Sequence, residues 1–282
     1  MKIGVNTWVW VSPFTTEKLD LLDKVARMGF DLVEIAVDDP AAIDARALKR
    51  KLADTGLGAS LCGAFGPTRD ISNLDGAIRK IGRDYIESCI ELAGSIDCGV
   101  FSGPLYSAVG KTRMVDAEQR KRERDFCVDI MRSLEGPALA SGVTLGVEPL
   151  NRFESDMINL TAQAAALIDE VGSPVYKVHI DSFHANIEEK SIPEAIRKLG
   201  KGRLCHFHAC ENDRGVPGSG HQDWSGMRDA LREVEYEGAV VIESFTPGAV
   251  EIAKAASIWR PLAPSQDELA EEGLKFLRRL FS

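Results

Sequence analysis

The chain carries none of the short signatures of the commonest cofactor chemistries. Its six cysteines, Cys62, Cys89, Cys98, Cys127, Cys205 and Cys210, are scattered and no two form a CxxC pair. In a chain of 282 residues they read as reduced, small, mostly buried side chains, which fits a cytoplasmic protein. No run of about 18 apolar residues occurs, so no membrane span is expected. The opening stretch MKIGVNTWVWV alternates and has no small-residue cleavage site, so it reads as a first strand and not a signal peptide. Positive charge is scarce: 34 Lys and Arg stand against 43 Asp and Glu, a net charge of −9. That argues against nucleic-acid backbone binding. The glycine-rich Arg214–Gly220 fits neither GxGxxG nor a P-loop and has no adjacent lysine, so it is expected to be a flexible loop over a substrate. No Pro/Ser/Gly linker or composition shift marks a boundary, so residues 1–282 are expected to form one domain.

What is present is alternation. Strand-like runs at Lys2–Trp10, Asp31–Ile35, Gly58–Phe65, Cys98–Ser102, Thr144–Pro149, Tyr176–Asp181, Leu204–Cys210 and Ala239–Ser244 are each followed by helical sequence. Apolar residues recur at helical spacing in the first helix (Leu19, Leu21, Leu22, Val25, Ala26, Met28), which Gly29 stops. The other helical runs are Ala41–Thr55, Asp75–Gly94, Gln119–Ser141 (interrupted at Gly136-Pro137), Leu160–Val171, Pro193–Leu199, Trp224–Val234 and Gln266–Phe281. This order predicts an α/β fold, a (β/α)8 TIM barrel, with long loops after strands four, six, seven and eight making the active-site face.

Four strands end on a metal-ligand type: Glu148, Asp181, His208 and Glu243, separated by 33, 27 and 35 residues (181 − 148, 208 − 181, 243 − 208). Each gap is one strand–helix–strand unit, so the four come from consecutive strands and converge at one side of the barrel mouth. A carboxylate at the exit of a buried strand is costly unless something pairs with it. Three carboxylates and one imidazole favour Mn2+, Mg2+ or Co2+ over a thiolate-type zinc site. Glu154, His184 and Arg214 form a second polar ring suited to the hydroxyls of a polyol. His206 lies two residues before His208 on the same side of its strand and is expected to support it from deeper in the barrel. Trp8, Trp10, Phe65 and Phe245 are candidates to wall a pocket, and Arg152 to orient the site.

At these residues the sequence resembles the D-tagatose 3-epimerase, D-psicose (allulose) 3-epimerase and L-ribulose 3-epimerase family of xylose isomerase-like barrels. The motifs that carry the resemblance are Gly29–Ile35, Glu148-Pro149-Leu150-Asn151-Arg152-Phe153-Glu154, Asp181–Glu189, His206-Phe207-His208, Arg214 with Pro217–Gly220, Ile242–Phe245 and Trp259-Arg260. It covers essentially the whole chain, most specifically in the second half. It implies a divalent metal, Mn2+ foremost, on Glu148, Asp181, His208 and Glu243, with Glu148 and Glu243 as the proton-transfer pair. Glu154, His184 and Arg214 then hold the oxygens of a free ketose. The implied reaction is inversion at C3 of a ketohexose or ketopentose through a cis-enediolate, by a homodimer or homotetramer. The chain departs from the family at Asn6-Thr7, where several members have an aromatic pair, and at Ala209-Cys210-Glu211, where a glycine usually precedes the glutamate. Alternatives on the same barrel are an aldose–ketose or hydroxypyruvate-type isomerase and an inosose dehydratase. An endonuclease IV-like nuclease would need more zinc ligands and a basic face, and a sugar-binding barrel without catalysis would not need the two glutamates.

Overall fold

The computed structural model describes all 282 residues. Eight parallel strands close into a barrel in sequence order. They are β1 (Lys2–Asn6), β2 (Leu32–Val37), β3 (Gly58–Gly63), β4 (Val100–Gly103), β5 (Thr144–Val147), β6 (Tyr176–Asp181), β7 (Leu204–Ala209) and β8 (Ala239–Ile242). The helices are α1 (Asp20–Met28), α2 (Ala45–Thr55), α3 (Gly76–Ser95), α4 (Ala117–Ser133), α5 (Glu135–Ser141), α6 (Thr161–Val171), α7 (Ser182–Glu188), α8 (Ile192–Leu199), α9 (Trp224–Glu233), α10 (Val250–Ala255) and α11 (Gln266–Phe281). β1 pairs with β8, Ile3 opposite Val240, which seals the cylinder. With helices outside and side chains filling the inside, the strands are buried on both faces, and all six residues of β2 are buried.

The (β/α)8 expectation is met, and the differences have local causes. β1 stops at Asn6 because the Asn6 side chain accepts the Trp8 N–H at 2.8 Å and turns the chain into a 3-10 turn over Thr7–Val9. The long helix after β4 breaks at Leu134, just before the expected Gly136-Pro137. Pro137 falls in the first turn of α5, where no intrahelical N–H is needed. The stretch after β6 is helix α7 rather than open loop: the Asp181 carboxylate caps it by accepting the Phe183 N–H at 2.7 Å. α10 adds a helix between β8 and α11. The Arg214–Gly220 loop is not a free cover. It is folded around the buried Glu211 carboxylate, which accepts from Gly218 N at 2.8 Å, Trp224 Nε1 at 2.8 Å and Asn212 N at 3.1 Å. This also gives Ala209-Cys210-Glu211 its purpose.

Inside the barrel, space is tight where strands approach the site. A Cβ on Gly146 of β5 would stand 2.8 Å from Ser102 Cβ and 3.1 Å from Cys205 Sγ. Only glycine fits there, one turn of pleat below Glu148.

Candidate active site

Each candidate residue leaves the carboxyl end of its strand. Glu148 follows β5 and donates its backbone N–H to Gly103 O at 3.0 Å. Asp181 and His208 lie in β6 and β7, directly opposite one another in register, and Glu243 follows β8. The structure brings all four together, buried at 0–4% exposure. The ligating atoms of Asp181, His208 and Glu243 lie within 4.8 Å of one another, as do those of Glu148, Asp181 and His184. Asp181 thus joins two groups of donors.

His208 is the best test of whether a cation fits. Its Nε2 lies 2.6 Å from Glu34 Oε1. Its Nδ1 has no hydrogen-bond partner and faces Glu243 Oε1 at 3.4 Å and Asp181 Oδ2 at 3.9 Å. An orphaned imidazole nitrogen aimed between two carboxylates, with its other nitrogen fixed by a third, is the arrangement of a metal-binding histidine. Burial disfavours the charged ring, yet Glu34, Glu243 and Asp181 outweigh it and hold His208 well above the ordinary imidazole range. A cation replacing that proton meets the same carboxylates. The residues present therefore fit a divalent ion.

Glu34 is the functional residue that motif reading passed over. It is fully buried in mid-β2 and four partners surround it: His206 Nε2 at 2.6 Å, His208 Nε2 at 2.6 Å, Asn6 Nδ2 at 2.9 Å and Ser60 Oγ at 3.0 Å. Burial alone would raise its pKa, but the two histidines overcome that and hold it well below the usual carboxylate range. The signal was available, since a glutamate inside Leu-Val-Glu-Ile-Ala-Val cannot sit in a barrel interior unpaired. His206 supports from below, as expected. Asn6 serves Glu34, and Thr7 Oγ1 accepts the Ala36 N–H at 3.0 Å. The Asn6-Thr7 departure is thus a matter of support under the site, and Trp8 supplies the aromatic wall.

The carboxyl groups of Glu148 and Asp181 are not equivalent. Burial pushes Glu148 well above the usual carboxylate range, and Glu243 and Asp181 push the same way against His208 and Arg214. No hydrogen bond holds its oxygens; His179 Nδ1 at 3.7 Å and His184 Nε2 at 3.9 Å stand off. Burial would raise Asp181 also, but Arg214, His208 and His184 hold it well below the ordinary range. Arg214 does more than face a substrate. Its Nη1 lies 2.7 Å from Asp181 Oδ2 and 2.5 Å from Glu243 Oε2, and its guanidinium sits over the rings of Phe183 and Phe245 at 4.1 and 5.0 Å. Its backbone is left-handed, φ 66°, and Ser244 Oγ donates to its carbonyl at 2.7 Å. A non-glycine residue held there stores strain at the site.

His184 is oriented by Asn151, whose backbone N–H donates to Nδ1 at 3.1 Å. Nδ1 is therefore an acceptor, and Nε2 faces Glu148 and Asp181 at 3.9 Å each, with the Arg214 Nη2 donor at 3.1 Å. Glu154 is held through Asn151 Nδ2 at 2.9 Å. Arg152 does not reach the site. Its exposed side chain binds Glu188 at 2.9 and 3.0 Å and ties the β5 exit to α7.

A cavity of about 360 Å³ opens on this cluster, at the small end of ligand pockets, which run about 300–1,000 Å³. Five of the seven candidate residues, Glu148, Glu154, His184, Arg214 and Glu243, line it; Asp181 and His208 lie beneath. Trp8, Phe65 and Phe245 are in its wall. Trp10 is not; its Nε1 donates to Asp267 at 2.7 Å.

A closed parallel barrel with this donor set at its carboxyl mouth defines a sugar-isomerase type of site, and the chain belongs to the xylose isomerase-like TIM barrel family, whose model matches residues 22–280. Within it the chain is an isomerase of the ketose 3-epimerase group, a carbohydrate epimerase. It is 32% identical over 283 residues to a probable ketose 3-epimerase of Synechocystis, covering 100% of this chain and 97% of that one. It is 32% identical to the L-ribulose 3-epimerase of Mesorhizobium japonicum over 98% of this chain and 93% of that one. The structure of D-allulose 3-epimerase from Methylomonas sp. in complex with D-allulose superposes with a TM-score of 0.92 at 27% identity, covering 99% of this chain and 96% of that one.

Proposed function

We propose that this chain, as one domain over residues 1–282, is a metal-dependent ketose 3-epimerase that inverts C3 of a free ketohexose or ketopentose. The observation that carries the reading is the pair Glu148 and Glu243. Both line one cavity, from strands β5 and β8, with Glu243 ion-paired to Arg214 and no hydrogen bond on the oxygens of Glu148. A divalent cation on Glu148, Asp181, His208 and Glu243, Mn2+ before Mg2+ or Co2+, supplies Lewis acidity that makes the proton next to a carbonyl removable.

The chain's own residues do the rest. The glutamate facing the C3–H takes that proton and leaves a cis-enediolate. The opposite glutamate returns a proton to the other face, so the epimer bound decides which is base and which acid. Arg214 and His184 stand where negative charge develops on oxygen, and Glu154 accepts a hydroxyl. Each turnover leaves the pair with exchanged protonation states. The six free cysteines support a reducing cytoplasm, and a homodimer or homotetramer belongs to the same reading.

The test is Glu148→Gln and Glu243→Gln on Mn2+-loaded enzyme. Each is expected to cut kcat by at least about 100-fold without altering the fold by circular dichroism. Wild-type turnover in D2O places deuterium at C3. Label confined to C1 makes the chain an aldose–ketose isomerase instead, and loss of water makes it a dehydratase.

A further inference from the structure

The cavity has a second polar end that the proton-transfer chemistry does not use. Strand order puts β1 and β2 across the barrel mouth from β5 and β6. Glu148, Glu154 and His184 crowd the β5–β6 side. The opposite wall is mostly apolar, with Trp8, Phe65, Phe245 and Ile252, and into it project Ser12, after β1, and Asp38, after β2. Asp38 is under-satisfied. Its side-chain bond is from Ser12 Oγ, which stands 3.3 and 3.4 Å from the two oxygens, the long edge of hydrogen bonding. Beside it the indole N–H of Trp8, in a residue 6% exposed, closes no full hydrogen bond but stands near enough to Asp38 to favour its charged form. Burial raises the Asp38 pKa, and Ser12, the Phe14 N–H, Arg69 and the Trp8 side chain together do not offset it. The nearby Arg69 is occupied, stacked on Tyr85 at 4.0 Å and donating to Ala64 O at 2.9 Å.

A ketose pinned at C2 and C3 has unequal arms: one carbon on the C1 side, and C4 onward on the other. The crowded β5–β6 side suits the short arm. The long arm then lies along the apolar wall with its end at Asp38. An ionised carboxylate accepts and cannot donate, so it pairs with a hydroxyl. We propose that Asp38, with Ser12 and Trp8 beside it, binds the terminal hydroxyl of a ketohexose and sets the chain-length preference of the enzyme. This rests on the reaction assigned above for which end of the sugar lies where.

The experiment compares D-allulose, its 6-deoxy analogue and L-ribulose with the Mn2+-loaded enzyme. Wild type is expected to show kcat/KM about 10- to 100-fold lower for the 6-deoxy sugar than for D-allulose, carried by KM, the usual worth of a hydrogen bond to a charged group. In Asp38→Ala the two sugars should converge to within about threefold, with Asp38→Asn, a weaker acceptor of the same shape, in between. Equal handling of both sugars by wild type overturns the proposal, as does an Asp38→Ala loss of equal size for D-allulose and its 6-deoxy form. Calorimetric Kd values for the two sugars on Mn2+-loaded Glu148→Gln protein read the same ratio without turnover. If no ketose is epimerised, the reaction assigned above falls, while the Kd ratio still decides the role of Asp38.

Discussion

Glu34 and His208 show how a single carboxylate sets the properties of a neighbouring ligand. With Nε2 of His208 engaged at 2.6 Å, Nδ1 faces Asp181 and Glu243, and the ring is held in that orientation. Replacing Glu34 by Gln keeps the shape and removes the charge that fixes the ring. Mn2+ affinity, measured by calorimetry, should then weaken about 10- to 100-fold, the usual effect of losing such a support. An unchanged Kd would show that Glu34 only satisfies buried histidines. At this scale the sequence was a good guide to residues with strong local context. Glu148, Asp181, His208 and Glu243 each end a strand, and strand ends are legible. Glu34 and Asn151 were not singled out, because their importance lies in partners 174 and 33 residues away, distances that chain order does not reveal. The left-handed backbone at Arg214 was equally hidden, since arginine gives no sign of it.

Loops on the active-site face are fixed to one another by charge. Gly110 N donates to Glu154 O at 2.7 Å, and Lys111 O accepts from Asp156 N at 2.8 Å, so the segment after β4 sets the height of Glu154. That segment is anchored by Arg113, which grips the buried Glu123 of α4 with two bonds of 2.9 Å and Asp156 at 3.0 Å. Burial alone would raise Glu123 and Asp156, but Arg113, with Gln119 for Glu123 and Arg120 for Asp156, leaves both below their ordinary values. The sign follows from linkage. Carboxylates depressed in the folded state stabilise it above the ordinary carboxylate range, and that stability fades as pH falls through about 4 and below. Arg113→Ala should therefore lower the melting temperature at pH 7, by an amount worth about 1–2 kcal/mol given that Arg113 is partly exposed. The gap to wild type should close toward pH 3, as read by thermal melts across pH. A gap constant with pH would mean that Arg113 acts by packing. Elements with capping and periodicity were legible, β6 and α11 to the residue. α7 and α10 were not, because each is short and held by tertiary contacts, α7 by the Asp181 cap and α10 by packing of Ala253 with Trp8 and Phe245.

The barrel as a whole was readable because eight repeats of strand and helix leave few other closures, and parallel pairing of β1 with β8 completes it. Three carboxylates at its mouth carry like charges that Arg214 and the neighbouring histidines offset only in part. A bound divalent ion should add stability to the entire fold, about 2.7 kcal/mol at 100 times its Kd. Melting temperature should rise with Mn2+ and return on chelation, and a melting temperature indifferent to both would remove the metal from the reading. Glu34 adds a further consequence. It springs from β2 and reaches across the interior to histidines on β7, three strand positions around the ring by way of β1 and β8. It is a strut across the cylinder, so the cross-section of the barrel is itself one of the coordinates of the site. Any mutation that ovalises the ring, however far from the mouth, alters the aim of His208, and metal affinity becomes a gauge of the roundness of the barrel.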